Sequence, residues 1–168
     1  LIQLAPLFAE HFPSAYFLSP NGPEECPQNP FGGKQWFGLD FDSDGQIDRS
    51  NMPQKVSLAA ENVDKFIKHW QNQLSISNDK TILIGFSQGS MVSLEIGTNN
   101  LFGGLLCYSG SYIKNNRPLT SKHKIMLIHG ELDEVIPIQS MENAKSALEN
   151  LGATVSIHIS KNLGHSID

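Results

Sequence analysis

The sequence contains no apolar run long enough to span a bilayer, and no basic stretch followed by an apolar one that would act as a leader. Basic residues are few: Lys and Arg total 12 against 17 Asp and Glu, for a net charge of −5. They are also scattered, so neither nucleic acid nor an anionic membrane is indicated as a partner. Cysteine is nearly absent. Cys26 and Cys107 cannot supply a disulfide framework or a cysteine metal cluster, and they fit a reducing, cytoplasmic setting. No internal repeat is visible. What remains is a chain of 168 residues, enough for one domain with its own core. The sequence begins without an initiator methionine and part-way through an amphipathic pattern, so the natural protein is expected to extend upstream.

Leu1, Leu4, Phe8 and Phe12 recur at helical spacing, and Pro13 ends that pattern. Residues 15–18 (AYFL) read as a short strand closed by SPNGP at 19–23. From there to Pro53 the chain is loop-like, rich in proline, with aromatic islands at Phe31 and at Trp36 and Phe37. A helix is predicted over 54–74, with Val56, Ala59, Ala60, Val63, Phe66, Ile67 and Trp70 on one face. Residues 80–86 (KTILIGF) form an apolar strand of the parallel-sheet type. Then come a short helix over 90–98, a strand over 102–108, a buried strand over 124–129, a helix over 139–151 and a strand over 154–159. Gly152 stands where a helix-terminating glycine belongs. The alternation predicts an α/β protein with a mainly parallel sheet, and the polar connection after 102–108 is too short for a cap domain.

Gly85-Phe86-Ser87-Gln88-Gly89 has the form G-x-S-x-G. Composition alone would produce roughly 0.13 such matches by chance. Its context makes it specific: an apolar strand precedes it and a helix follows, as a nucleophile elbow of an α/β-hydrolase requires. The plain alternative is a glycine-rich turn with an incidental serine. On the elbow reading, Ser87 is the nucleophile and the backbone N–H of Gln88 is one oxyanion donor.

That fold places its acid and its base later in the chain, in the order Ser, Asp or Glu, His. Asp133 follows the 124–129 strand and His165 follows the 154–159 strand, both where open α/β sheets place their sites. Glu131 and Glu134 flank Asp133 and read as solvated loop carboxylates. Of six histidines, His11 and His69 fall in helices, His123 in a polar loop and His158 in a strand. His129, just before Gly130, reads as a buried structural residue. His165 alone combines late order, a loop and a preceding glycine. The three side chains together favour an enzyme over a catalytically silent relative that binds a ligand or a partner protein.

The segments GFSQGS (85–90), HGELDEVIP (129–137) and GHSID (164–168), with Gln35-Trp36-Phe37 before a long helix, resemble the phospholipase/carboxylesterase family that includes the acyl-protein thioesterases. The resemblance implies an α/β-hydrolase fold and two-step acyl transfer to water without a cofactor. It implies as substrates carboxylic esters, lysophospholipids or S-acylated thiols. Trp36 and Phe37 would then shape the acyl groove, core packing being the alternative. The resemblance also implies a strand and an HGxG-type oxyanion loop upstream of the first helix, and a terminal helix after His165. Both are expected in the natural protein beyond this sequence.

One pattern competes. Residues 40–51 (DFDSDGQIDRSN) overlay an EF-hand calcium loop at positions 1, 3, 5, 6, 8 and 9 but carry Asn51 at position 12. The alternative is an acidic surface loop beside the active site.

Overall fold

Four of the predicted apolar segments pair side by side, as strands buried on a parallel sheet do. A computed structural model of the protein describes residues 1–27, 32–114 and 118–168; Phe31 lies outside them. A short 3-10 turn at Ile2–Leu4 leads into α1 (Ala5–His11). Two small antiparallel pairs follow, β1 (Glu24–Glu25) with β2 (Lys34–Gln35) and β3 (Asp40–Phe41) with β4 (Ile47–Asp48). Next come α2 (Met52–Leu74), β5 (Ile82–Phe86), α3 (Gln88–Asn99) and β6 (Gly104–Tyr108). The chain closes with β7 (Lys124–Gly130), α4 (Gln139–Asn150) and β8 (Thr154–Ser160).

The order β5-β6-β7-β8 is parallel throughout. Register aligns Leu83, Leu105 and Ile125 in one row, and Gly85, Cys107 and Leu127 in the next. Side chains alternate across a strand, so both rows share one face, and all six residues are buried. α3 packs on β5 and β6, α4 on β7 and β8, and α2 on α3. The helices bury residues at helical spacing: Val56, Ala59 and Ala60 from α2, and Met141, Ala144 and Leu148 from α4. Pro53 sits in the first turn of α2, where its missing N–H costs nothing. After α4, Gly152 has φ 107°, a conformation that side chains rarely adopt. Every strand that ends β5 through β8 therefore delivers its loop to the same edge of the sheet.

One predicted strand does not form. Residues 15–18 belong to no ladder, and Tyr16 is 65% exposed. Apolar alternation makes a segment fit for pairing, but a strand exists only beside a neighbour, and among the described residues none lies beside 15–18. Conversely, the stretch predicted as loop up to Pro53 holds the short pairs β1–β2 and β3–β4, and the remaining departures are boundary shifts. Residues 78–80 form a 3-10 turn before β5, and β6 begins two residues after Phe102.

Candidate active site

The bend between β5 and α3 holds Ser87 at φ 54°, ψ −117°. A positive φ at serine is strained, and surrounding structure must impose it. Two neighbours do so. A Cβ at Gly85 would stand 2.2 Å from the carbonyl oxygen of Gly89, so strand and helix pass closer than any side chain would permit. The Ser87 N–H donates to the Tyr108 carbonyl at 2.9 Å, and the Ser87 carbonyl accepts from the Ser90 N–H at 3.0 Å.

Asp133 lies in the loop after β7, almost wholly buried. Its Oδ1 accepts the backbone N–H groups of Val135 at 3.0 Å and Ile136 at 2.9 Å, which fixes the carboxylate plane. Its Oδ2 stands 2.8 Å from Nδ1 of His165. On the other side, Nε2 of the buried His129 lies 3.5 Å from the same oxygen. That Nε2 is also 2.7 Å from the Ile136 carbonyl. A carbonyl only accepts, so His129 carries its proton on Nε2. Burial alone would push the Asp133 carboxyl up. The Ile136 N–H, the His165 imidazole and the attraction of that ring outweigh it and hold the group below its ordinary value.

His165 sits in the loop after β8, with Nε2 3.0 Å from the Ser87 Oγ. An ionised carboxylate only accepts, so the proton belongs on Nδ1 facing Asp133, and Nε2 is left as an acceptor for the serine hydroxyl. The Phe86 ring lies 4.7 Å from the imidazole, centre to centre, at 42°. Backbone bonds stitch this loop to the acid loop: Leu132 N–H to the Leu163 carbonyl at 2.8 Å and Glu131 N–H to the Ser160 carbonyl at 3.0 Å. Gly130 makes the approach possible, because a Cβ there would stand 2.3 Å from the Gly164 carbonyl oxygen.

Ser87, Asp133 and His165 thus converge although they come from three loops. Gln88 opens α3, so its N–H has no acceptor within the helix. Its side chain turns away toward Trp36 and Phe37, accepting the Trp36 N–H and donating to the Phe37 carbonyl, each at 2.9 Å. Phe37 belongs to the core and Trp36 packs against it half-buried. Both also line a cavity of about 280 Å³ whose wall is mixed, with Pro23, Leu58 and Ala59 beside Glu24, Lys55 and Asn62. Core packing, one of the two roles weighed for them, is what these contacts show. Sequence reasoning missed the Gln88 side-chain bonds, the His129–Asp133 contact and the Phe86 ring. These depend on tertiary approach and leave no spacing signal.

The acidic loop has another use for its carboxylates. Asp40 pairs with Lys55 at 2.7 Å, and that bond holds its carboxyl below the ordinary value. Asp42 Oδ1 accepts the N–H groups of Asp44 and Gln46 at 2.9 and 2.8 Å, closing the turn between β3 and β4. Asp48 accepts the Ser50 N–H at 2.9 Å. Among the described residues no three His, Cys, Asp or Glu side chains converge as a metal site would need.

The family model described as Phospholipase/Carboxylesterase matches residues 2–168. Esterase YpfH of Escherichia coli (strain K12) is 31% identical over 163 residues, covering 96% of this chain and 67% of that protein. Acyl-protein thioesterase 1 homolog 1 of Dictyostelium discoideum is 27% identical over 161 residues, covering 89% of this chain and 69% of its own. The chain thus spans about two thirds of these relatives. Among solved structures, esterase PE8 superposes with a TM-score of 0.85 at 30% identity, over 100% of this chain and 79% of that one. The Bacillus cereus carboxylesterase, at 16% identity and a TM-score of 0.75, shares the fold over 99% of this chain and 76% of its own. No helix among the described residues is long and apolar enough to cross a membrane. A parallel sheet with helices packed on it, the neighbours in fold and the match along nearly the whole sequence agree: the chain belongs to the phospholipase/carboxylesterase family of α/β-hydrolases.

Proposed function

We propose that the protein is a single-domain serine hydrolase that cleaves carboxylic esters or thioesters through an acyl-enzyme. Ser87 is the nucleophile, His165 the general base and then acid, and Asp133 the group that holds the imidazole tautomer. One observation carries the reading: Ser87 Oγ lies 3.0 Å from His165 Nε2 while His165 Nδ1 lies 2.8 Å from a buried Asp133 oxygen.

In the first half-reaction Ser87 Oγ bonds to the acyl carbon as its proton passes to His165 Nε2. The carbonyl oxygen becomes an oxyanion facing the Gln88 N–H, at the positive end of α3. Collapse breaks the bond to the alcohol or thiol, which leaves with the proton from Nε2. Water then attacks the acyl-serine, giving its proton to Nε2, and the second collapse returns that proton to Ser87 as the carboxylic acid departs. Every proton and electron pair is accounted for by substrate, water and side chains, so the scheme requires no cofactor. Relatives named esterase and acyl-protein thioesterase make oxygen and sulfur leaving groups equal candidates. The cavity beside Trp36 and Phe37 is the acyl site in this scheme. A cytosolic setting, for which small-molecule or lipid acyl esters and acylated thiols are the accessible substrates, belongs to the same proposal.

A fluorophosphonate probe should label the wild-type protein and spare Ser87→Ala. p-Nitrophenyl esters from acetate to octanoate should be turned over by the first and not the second. A folded wild-type protein that neither labels nor turns over any ester would end the reading in favour of a silent binding relative.

A further inference from the structure

The geometry points to a second task for Gln88, one that rests on the hydrolase reading above: we propose that its side chain is a positioning device coupling the wall of the acyl cavity to the oxyanion N–H of the same residue. The carboxamide makes two bonds of 2.9 Å, to consecutive residues 52 and 51 positions distant in sequence. It satisfies the Trp36 N–H and the Phe37 carbonyl as a neighbouring strand would, and neither bond is needed to build α3. Residues 36–38 are held from the other side as well, because Lys55 on α2 donates to the Gly38 carbonyl at 2.8 Å. A Cβ on Gly89 would lie only 3.5 Å from the Trp36 indole nitrogen, so the indole reaches the elbow itself.

The same backbone segment therefore carries two residues of the cavity wall, Trp36 and Phe37, and grips the residue whose N–H meets the oxyanion. Groups that act on a transition state must be placed to within about 0.5 Å, and a misplacement of about 1 Å can lower a rate by about 10². An acyl chain filling the cavity seats Trp36 and Phe37, and the clamp carries that seating to the Gln88 backbone. Binding energy from the remote part of the acyl chain then appears in kcat rather than only in KM.

The test uses two variants and an ester series. Gln88→Glu keeps an acceptor for the Trp36 N–H but sets a carboxylate oxygen against the Phe37 carbonyl. Gln88→Met removes both bonds at similar length. In the wild type, kcat should rise from p-nitrophenyl acetate to the esters that fill the cavity. In the variants that rise should flatten, with kcat for the longer esters lower by about tenfold or more and KM changed far less. Thermal unfolding establishes that the compared variants are folded, and should one fail to fold the other decides. Variants that keep the wild-type rise, or that lose activity only through KM, would overturn the coupling. An active wild type with such variants would sink the clamp alone, whereas an inactive wild type would remove the hydrolase reading and the clamp together.

Discussion

Residues 1–50 and residues 82–168 both carry many large apolar side chains, yet they use them in opposite ways. α1 buries none of its residues, and Leu7 and Phe12 are 62% and 55% exposed. From the second region, Leu94, Met141 and Leu148 are essentially sealed. The periodicities are equally clear in the sequence. What differs is the partner: α3 lies on β5 and β6 and α4 on β7 and β8, whereas α1 makes no comparably extensive contact with a strand among the described residues. A pattern sets which face of an element is apolar; only a facing surface converts it into core. The exception in the first region is the segment around Phe37, which is buried because α2 lies beneath it and Gln88 and Lys55 grip its backbone.

If the second region is the rigid frame of the site, the largest effect should come from its most constrained side chain. Asp133→Asn preserves shape, so its oxygen can still accept from Val135 and Ile136. Its amide N–H₂ would then face His165, driving the imidazole proton to Nε2 where it cannot accept from Ser87. Ester turnover should fall by roughly 10⁴ with little change in KM. The same carboxyl also gives the frame a pH signature. Its folded pKa lies below the ordinary value, so it contributes stability that is fully present above the unfolded value of about 3.9 and disappears as pH falls through the lower folded value. Unfolding midpoints from pH 3 to 7 should show a steeper acid limb in wild type than in Asp133→Asn. Parallel limbs would mean that the carboxylate is not held as described.

Gly130→Ala asks whether the acid and base loops depend on their close approach. The added methyl would press on the Leu163 and Gly164 carbonyl oxygens, backbone atoms that cannot swing aside. The loops should part, with a loss of about 2–4 kcal/mol in stability and up to about 10² in turnover. Full activity in a normally stable Gly130→Ala would show that His165 does not need the contact.

Much of this frame was legible because its signals are local. GFSQG after an apolar strand fixes an elbow, and Asp133 and His165 follow strands in the order that the elbow demands. The helices over 54–74, 90–98 and 139–151 appear within two residues of their predicted limits. Residues 15–18 misled because pairing is a property of two segments, and the sequence displays one at a time. The Gln88 clamp joins residues more than 50 positions apart and the glycine approaches are matters of tenths of an ångström, so neither leaves a periodicity. Residues 40–51 show the opposite: their spacing overlays a calcium loop, whereas Asp40 pairs with Lys55 and Asp42 and Asp48 accept backbone N–H groups beside them.

The contrast in burial sets a smaller pair of effects. Leu148→Ala opens the sealed side of α4 and should cost about 2–5 kcal/mol. Leu7→Ala, on exposed α1, should fall within about 0.5 kcal/mol of wild type. Urea unfolding of the two variants side by side measures the difference directly, and equal losses would show that α1 packs more tightly in solution than its exposure here implies.

The smallest effect belongs to the loop between β3 and β4. A calcium loop needs six or more oxygens turned inward, but Asp42 Oδ1 already accepts two N–H groups and Asp40 is paired with Lys55. Binding calcium would mean breaking the pair and opening the turn, and position 12 offers the neutral Asn51 in place of a bidentate carboxylate. Millimolar calcium should therefore leave the unfolding midpoint where it is in a calcium-free buffer, since a ligand stabilises only in proportion to ln(1 + [L]/Kd). A saturable upward shift at micromolar calcium, abolished by Asp44→Asn, would show that the loop rearranges around an ion and that residues 1–50 contain a built site after all.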